Sequence, residues 1–346
     1  MSVRTVLICS VSVPLFSGGA ERLAASLHDE FARRGFDADV VSVPFRWYPK
    51  SQLISQALIW RLLDLRESNG RAVDLLVCLK FPCYLAEHGR KVVYLAHQFR
   101  QVYDLYGTEY SDFTANARDS WVRDKIIGID NRFLPTARRI FTSTKNTAGR
   151  LRRFNGIEAT PLPHPPKDAG MFYCGGYEPY VLSVGRLDRL KRVELLIRSL
   201  PRVTPTLHAV IAGDGPQRGH LHEVARECGV SGRVRFAGPV SDEALRRLYA
   251  DARAVYYAPF DEDYGLVTIE AFLSRKPVIT ADDSGGVLEF VEDGVTGCVV
   301  PADPDAVASA LNGLATDVPR CRRYGEAGLE VARAVTWDNV IERLVS

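Results

Sequence analysis

Short apolar runs alternate along the chain with longer stretches in which apolar residues recur every three or four positions. The first run, Thr5–Ser10, is rich in β-branched residues and predicts a strand. Ala20–Arg34 follows with Leu23, Leu27 and Phe31 at helical spacing and predicts a helix. A second helix is predicted to end at about residue 153. Further strands of this half are predicted at Asp39–Val43, Asp74–Leu79, Lys91–Ala96 and Arg139–Thr144.

The alternation restarts near residue 180, with a strand predicted at Tyr180–Val184 and a helix at Lys191–Leu200. Strands that alternate with helices indicate a parallel sheet covered on both faces. The predicted fold class is α/β, with two doubly wound Rossmann-like domains that face a central cleft. The alternation continues through Leu207–Ala212, Arg218–Cys228, Val234–Ala237, Asp242–Ala250, Ala254–Ala258, Glu270–Ser274, Pro277–Ala281 and Asp305–Leu314.

The segment Pro161–Gly176 separates the two halves, since it holds four prolines and three glycines without periodicity. A length of 346 residues fits two domains of ordinary size. We therefore predict an N-terminal domain at 1–165, a linker at 166–178 and a C-terminal domain at 179–333. A C-terminal helix at 334–346 is expected to pack back on the first domain.

The composition, 46% hydrophobic and 25% charged, is that of a globular protein. Apolar runs such as Val92–Ala96 are far shorter than the ~20 residues that span a bilayer. The N-terminus is read as a first strand rather than a signal peptide. Seven cysteines without a C-x-x-C pair are typical of reduced thiols, so we expect a cytoplasmic protein.

Charge is distributed unevenly between the halves. Residues 1–170 carry 24 Lys and Arg against 17 Asp and Glu, whereas the remainder is acidic. This basic half is either ordinary solvated surface or a surface that meets phosphate, lipid headgroups or nucleic acid. No recognised nucleic-acid-binding motif accompanies the charge, so nucleic acid is not expected as a partner. Peripheral contact with the inner membrane face is expected.

Glycines and cations follow predicted strands at two places. Gly18 and Gly19 precede the first helix, where free N–H groups can bind an anion, although a plain tight turn needs the same residues. Gly185 and Arg186, with Lys191 five residues later, flank the start of another helix. These cations can hold a diphosphate and stabilise it as a leaving group, or they can be solvated surface residues.

Two carboxylates, Glu262 and Glu270, flank Tyr264-Gly265-Leu266. Glu262 is predicted in a loop after a strand and Glu270 at the start of the next helix. Carboxylates accept hydrogen bonds from the vicinal hydroxyls of ribose and hexose. His97 is predicted directly after a strand, where sites form, although such a histidine can also satisfy local backbone groups.

Taken together, these residues resemble glycosyltransferase family 4, which has the two-domain GT-B fold. The resemblance covers nearly the whole chain and is strongest over residues 180–315. The matching segments run in the family's order: Ser17–Arg22, His97, Val184–Leu187 with Lys191, Ala212–Pro216, Phe236–Gly238, Glu262–Glu270 and Ser284–Gly297.

The resemblance implies a role for each matching position. Arg186 and Lys191 would grip the donor diphosphate, Glu270 the ribose, and Glu262 the transferred sugar near its reacting carbon. His97 would face the donor sugar. The catalytic residues that the resemblance implies are Glu262, Arg186, Lys191 and His97. The donor-binding residues that it implies are Gly18, Gly19, Gly185, Gly213, Gly215, Gly238, Val240, Tyr264, Gly265, Leu266, Val267 and Glu270.

The implied activity is that of a retaining hexosyltransferase, with 1–165 as the acceptor-side domain and 179–333 as the nucleotide-sugar-binding domain. It would move a sugar from a UDP- or GDP-sugar to a glycan or lipid-linked acceptor, in surface polysaccharide or glycolipid biosynthesis. Neither a cofactor nor a metal is expected, although Asp261-Glu262-Asp263 resembles an acidic metal motif in composition. A nucleotide-sugar epimerase of the same fold and a non-catalytic nucleotide-sugar-binding subunit are the alternatives.

The sequence departs from the family pattern at two places. Arg192 stands where most of the family has a glycine after the lysine. Residues 99–135 are rich in aromatic and charged residues and match nothing general in the family, on the side expected to meet the acceptor.

Overall fold

A computed structural model describes residues 3–14 and 18–346, so Ser17 of the first motif lies outside the described residues. The chain divides into two compact units. The first comprises Met1–Lys167 together with Thr336–Ser346, and the second comprises Asp168–Val335. The chain therefore leaves the first unit within the proline-rich segment and returns to it near its end.

The first unit is built on a six-stranded parallel sheet with the order β2-β1-β5-β6-β7-β8, and a small antiparallel hairpin, β3-β4, lies apart from it. Every residue of β5 is buried, as expected of a central strand covered on both faces. The strands are β1 Thr5–Ser12, β2 Asp37–Pro44, β3 Glu67–Ser68, β4 Arg71–Ala72, β5 Leu75–Lys80, β6 Lys91–His97, β7 Arg139–Thr142 and β8 Thr160–Pro161. The first four helices are α1 Gly19–Arg33, α2 Gln52–Leu62, α3 Ala117–Phe133 and α4 Lys145–Asn155.

The second unit is a six-stranded parallel sheet with the order β11-β10-β9-β12-β13-β14. Helices join the strands, which confirms the predicted α/β class with two Rossmann-like domains. The strands are β9 Tyr180–Val184, β10 His208–Ala212, β11 Val234–Gly238, β12 Ala254–Tyr256, β13 Val278–Ala281 and β14 Gly297–Val300. The helices are α5 Val193–Ser199, α6 Arg218–Glu227, α7 Asp242–Asp251, α8 Leu266–Leu273, α9 Pro304–Thr316 and α10 Val318–Arg333.

The last helix, α11 Trp337–Val345, belongs to the first unit. Its buried residues recur at helical spacing, and Thr336 caps its start by accepting a hydrogen bond from the Asn339 N–H at 3.3 Å. The helix packs against α1 and shares one hydrophobic core with β1, β5 and β6. Its contribution to that core consists of Trp337, Val340, Ile341 and Leu344.

Three local predictions were wrong in position. The helix predicted at Lys191–Leu200 begins only at Val193, because Arg192 has a left-handed backbone (φ 48°) that ends a short 3-10 turn at Lys191. Glu270 lies in the middle of α8 rather than at its start, because the helix already begins after Gly265. His97 is the last residue of β6 rather than the residue after it.

Two helices of the first unit were not predicted, α2 and α3. Helix α2 is apolar on two faces: Leu53, Ala57 and Trp60 are buried, whereas Leu58 and Leu62 on the opposite side are exposed. A helix of this kind shows little helical periodicity in its sequence. Within the described part of the chain, no helix is both long enough and apolar enough to span a bilayer.

Candidate active site

The strand order of the second unit reverses between β9 and β12, which are neighbours in the sheet although β10 and β11 come between them in the chain. An open parallel sheet binds ligands outside the carboxyl ends of its strands at such a reversal. The loop after β9 carries Gly185, Arg186 and Lys191, and β12 leads into Tyr257 and Glu262. Most of the charged residues selected from the sequence therefore lie where this fold binds ligands.

Glycines hold the loop after β9 against the loop after β10. The Gly185 N–H donates to Ala212 O at 3.0 Å, and the Leu187 N–H donates to Asp214 O at 2.9 Å. A Cβ atom on Gly213 would lie 2.0 Å from the carbonyl oxygen of Gly185, which no side chain tolerates. The two loops thus form one backbone platform. Gly215 is constrained in the same way, because its Cβ would lie 2.4 Å from Leu187 O.

Lys191 and Glu262 form an ion pair at the centre of the candidate site, between Lys191 Nζ and Glu262 Oε2. The Tyr257 hydroxyl lies 3.2 Å from Lys191 Nζ and 2.9 Å from Glu262 Oε2, so it bridges the two charges. Lys191 and Glu262 are both partly exposed, and Tyr257 is buried. A cation, a carboxylate and a hydroxyl are therefore held within one hydrogen-bond network.

The charges of this network affect one another. Burial by itself would lower the pKa of Lys191, but the nearby Glu262 carboxylate outweighs it and the pKa lies well above its usual range. Lys191 is consequently an ammonium ion at any physiological pH. Burial raises the pKa of Asp188, against the opposing charges of Lys191 and Arg186. The side chain of Asp188 also caps the turn that carries Lys191, since its Oδ1 accepts from the Lys191 N–H at 3.2 Å.

The loop that carries Glu262 is fixed by the backbone of the loop after β13. The Glu262 N–H donates to Ser284 O at 3.2 Å, and the Gly286 N–H donates to Glu262 O at 2.7 Å. Glu262 and Gly285 form an isolated parallel bridge. The glycine-rich segment that the sequence places after β13 thus holds the Glu262 loop in position.

Glu270 points into a buried setting on α8. The Tyr249 hydroxyl donates to Glu270 Oε2 at 2.7 Å. The helix starts at a left-handed Gly265 (φ 76°), where an added Cβ would lie 2.8 Å from Val287 Cγ2. Tyr264 before it is buried against Phe290, with ring centroids 5.7 Å apart. Leu266 and Val267 form the first turn and are partly exposed.

Gly238 and Val240 lie at the carboxyl end of the neighbouring strand β11. Gly238 is buried, with φ 68°, and its carbonyl oxygen accepts the Gly213 N–H at 2.8 Å. Val240 is partly buried and packs against one of the two cores of the second unit. Both residues therefore border the platform of glycine loops.

In the first unit, Gly18 caps helix α1. Glu21 Oε2 accepts the Gly18 N–H at 2.9 Å, and Glu21 Oε1 pairs with Lys80 Nζ at 2.7 Å. The carboxylate at the start of α1 is thus that of Glu21. Space remains next to Gly19, where an added Cβ would meet nothing within 4 Å.

His97 lies at the same edge of this sheet. It pairs in register with Lys80, the residue that contacts Glu21. His97 Nδ1 lies 2.9 Å from the carbonyl oxygen of Gln98. The carboxyl edge of the first sheet therefore brings together Gly18, Gly19 and His97, while the second unit holds the other candidates.

Sequence reasoning missed three residues of the site, Tyr257, Asp188 and Tyr249, and it did not foresee the contacts of Arg192. Tyr257 had a weak signal, since it lies near the carboxyl end of the predicted strand Ala254–Ala258 and precedes Glu262. Tyr249 had none, because it lies on α7, one of whose faces packs against the core. Among the described residues, no group of three or more His, Cys, Asp and Glu side chains is arranged to hold a metal ion.

Residues 176–331 match the protein family described as glycosyl transferases group 1. The second unit is a group 1 glycosyl transferase domain. Over 179 residues the chain is 38% identical to a D-inositol 3-phosphate glycosyltransferase of Nocardia farcinica, covering 49% of this chain and 40% of that protein. The chain spans about half the length of the relatives of this kind that it matches.

Solved structures match this chain along nearly its whole length. Sucrose-phosphate synthase from Thermosynechococcus elongatus has a TM-score of 0.80 at 20% identity, covering 99% of this chain and 97% of that chain. Anabaena Alr3699/HepE, in complex with UDP and glucose, has a TM-score of 0.73 at 16% identity, covering 99% and 100%. The GT-B fold predicted from the sequence is confirmed. Family 4 membership, a retaining mechanism and the site-residue roles stay predictions.

Proposed function

We propose that this protein is a glycosyltransferase that moves a hexose from a nucleoside-diphosphate sugar to an acceptor hydroxyl. The observation that carries the proposal is the Lys191–Glu262–Tyr257 network at the strand reversal of a group 1 glycosyl transferase domain. A fixed ammonium ion and a fixed carboxylate at this position suit a ligand with both a diphosphate and sugar hydroxyls.

The donor is a UDP- or GDP-sugar, and UDP is the first choice. The similar Anabaena protein is in complex with UDP and glucose, which supports a uridine nucleotide here. Lys191 and Arg186 would contact the diphosphate, and Glu270 would accept hydrogen bonds from the ribose hydroxyls. Tyr249 would hold the Glu270 carboxylate in place through its 2.7 Å hydrogen bond.

The reaction breaks the bond between the anomeric carbon and the diphosphate oxygen, and forms a bond from that carbon to the acceptor oxygen. Negative charge develops on the departing diphosphate, and Lys191 with Arg186 would stabilise it. In a retaining reaction the acceptor attacks from the face that the diphosphate leaves, and a diphosphate oxygen takes the acceptor proton. Glu262 Oε2 already accepts hydrogen bonds from Lys191 and Tyr257, which favours a binding role over a covalent one.

The acceptor is a glycan or lipid-linked hydroxyl, in surface polysaccharide or glycolipid synthesis at the cytoplasmic membrane face. Two features of the first unit support this part of the proposal. One is the excess of Lys and Arg in residues 1–170. The other is the exposed apolar face of α2, formed by Leu58, Ile59 and Leu62. Cations attract anionic headgroups, and apolar side chains insert at the interface.

A direct experiment incubates the purified protein with UDP-glucose, UDP-galactose, UDP-N-acetylglucosamine and GDP-mannose. Thermal unfolding first identifies the nucleotide that stabilises the fold. Product analysis by NMR then separates the candidate activities. Release of nucleoside diphosphate with a free or transferred sugar supports the proposal. Conversion into a second nucleotide sugar would indicate an epimerase, and binding without turnover would indicate a non-catalytic subunit.

A further inference from the structure

Arg192 has an unusual backbone for an arginine. Its φ is 48° and its ψ is 37°, in the left-handed region that glycine adopts at no steric cost. The strained conformation is thus occupied here by a large charged residue, immediately after Lys191.

The Arg192 side chain ties this turn to two other loops. Its Nε donates to Ala258 O at 2.9 Å, and its Nη2 donates to Pro259 O at 2.8 Å. Its Nη1 donates to Asp283 Oδ2 at 2.8 Å, and Nη2 also contacts the second carboxylate oxygen, a forked arrangement. The Arg192 carbonyl in turn accepts the Tyr256 hydroxyl at 3.1 Å.

The loops that Arg192 joins are those that place the central ion pair. Ala258 and Pro259 lead directly into the loop of Glu262. The Asp261 N–H donates to Asp283 O at 2.9 Å, and the Phe260 N–H donates to Leu190 O at 2.8 Å. Arg192, the residue after Lys191, thus connects the turn of Lys191 to the segment that precedes Glu262 and to the loop after β13.

We propose that Arg192 is a positioning residue, one that sets the separation of Lys191 and Glu262 and so aligns the cation with the donor diphosphate. The inference rests on the proposed function. A glycine would relieve the backbone but would leave the three loops joined only by main-chain hydrogen bonds. Arg192 thus combines a strained backbone with a forked, charge-assisted contact to Asp283.

The first test is Arg192→Gly, assayed with whichever of the four nucleotide sugars above the unmodified protein turns over. We expect kcat to fall by about tenfold to a hundredfold, the scale of a displacement of about 1 Å in a catalytic group. KM for the donor should change by less than about threefold, because Glu270 and the glycine loops remain. Turnover is expressed per binding site for the nucleoside diphosphate of that donor, counted by calorimetry, so that a loss of folded protein does not count as a loss of kcat.

Two further variants separate positioning from folding. Asp283→Asn keeps the shape but removes the charge at the fork, and should show a smaller fall in kcat of the same kind. Arg192→Lys should recover only part of the wild-type kcat, because an ammonium ion cannot form the fork. If Arg192→Gly does not fold, these two variants decide the question.

Arg275→Gly is the matched control. Arg275 is a second arginine of this unit with a left-handed backbone (φ 54°), and its guanidinium pairs with the exposed Glu326 at 3.2 Å. Its replacement by glycine makes the same backbone change and should leave kcat unaltered. Equal kcat in folded Arg192→Gly and wild type would overturn the inference. Failure of the wild type to turn over any of the four donors would instead overturn the proposed function.

Discussion

At the scale of single residues, the central feature is a permanently charged ammonium next to a carboxylate. Glu262 raises the pKa of Lys191 despite burial, so the ion pair persists across the physiological range. The ammonium ion can donate hydrogen bonds to a diphosphate that enters the site as well as to Glu262. Arg186 is exposed, and its positive charge, like that of Lys191, opposes the rise that burial causes in the pKa of the Asp188 carboxyl.

Replacing either cation by alanine should impair transfer. We expect Lys191→Ala and Arg186→Ala each to lower kcat by about a hundredfold or more, the scale of losing one group that stabilises transition-state charge. Circular dichroism of both variants should stay native. Arg202→Ala, which removes an exposed arginine paired with Asp305, is the control and should be fully active. Near-wild-type kcat in both test variants would show that these cations do not bind the diphosphate.

The same two cations lead us to expect transfer that does not depend on a divalent metal ion. We expect kcat to be unchanged after treatment with EDTA, because Lys191 and Arg186 can neutralise charge on the diphosphate. Addition of Mg²⁺ or Mn²⁺ to the treated protein is the necessary comparison. Complete loss of turnover on chelation, with recovery on adding metal, would contradict this expectation.

The residue scale also shows what the sequence could not reveal. Lys191 and Glu262 are 71 positions apart, and no local pattern states that they touch. They meet because β9 and β12 are neighbours across the strand reversal. By contrast, Tyr180–Val184 was predicted with correct bounds, since an apolar run between Pro179 and Gly185 is a local signal. Local signals thus predicted elements, while contacts depended on topology.

At the scale of elements, helix α3 carries a buried acid. Asp130 Oδ2 accepts the Tyr103 hydroxyl at 2.6 Å, and Asp130 also accepts from Tyr84. Burial raises the pKa of Asp130 to about 7, and the two tyrosine hydrogen bonds only partly oppose it. In the same unit, burial lowers the pKa of His164, which stacks on Trp337, to about 4.

These two shifts have opposite effects on stability. Between about pH 4 and 7 the folded state keeps a proton on Asp130 that the unfolded chain releases, so the free energy of unfolding falls as pH rises. Between about pH 4 and 6.5 the unfolded chain binds a proton at His164 that the folded state excludes, so the free energy of unfolding rises with pH. In the native protein the two contributions offset each other.

Asp130→Asn should therefore expose the His164 contribution. The free energy of unfolding of this variant minus that of the wild type should increase by a few kcal/mol as the pH rises from 4.5 to 7.5, since each pKa unit is worth about 1.4 kcal/mol. Urea unfolding at the two pH values measures it. Asp124→Asn changes an exposed acid of the same helix and should show no such difference. An equal effect of Asp130→Asn at both pH values would refute the shift.

Helix α2 shows why some elements escaped prediction. Its buried face and its exposed face are both apolar, so the amphipathic pattern that identifies most surface helices is weak. Helix α3 buries two acids, Asp119 and Asp130, where the pattern would require apolar residues. Apolar periodicity in the sequence therefore identifies neither helix.

At the scale of the whole molecule, the uneven charge and the exposed face of α2 lead to a prediction about membranes. We expect the protein to sediment with vesicles that contain phosphatidylglycerol at low salt, and to be released at high salt, because surface charges are screened within a Debye length. Leu58→Ser with Leu62→Ser should reduce the bound fraction several-fold, since each loses buried apolar area.

The control for this experiment is Met171→Ser, which removes an exposed apolar side chain from the second unit and should leave vesicle binding unchanged. No sedimentation at low salt, together with efficient transfer to a soluble neutral acceptor, would rule out a membrane role. Equal binding by the α2 variant and the wild type would leave the charge as its cause and remove α2 from the proposal.

The return of the chain to its first unit has a consequence for the order of folding. The core around β1, β5 and α1 includes four side chains of α11, which are synthesised after the whole of the second unit. The second unit is continuous in sequence and can complete its own core while α11 is still being made. The usual order, in which the N-terminal domain finishes first during synthesis, is therefore reversed. Until α11 is made, the core that contains Leu27 and Phe31 lacks these four side chains, so the first unit can complete its core only after the second has been synthesised.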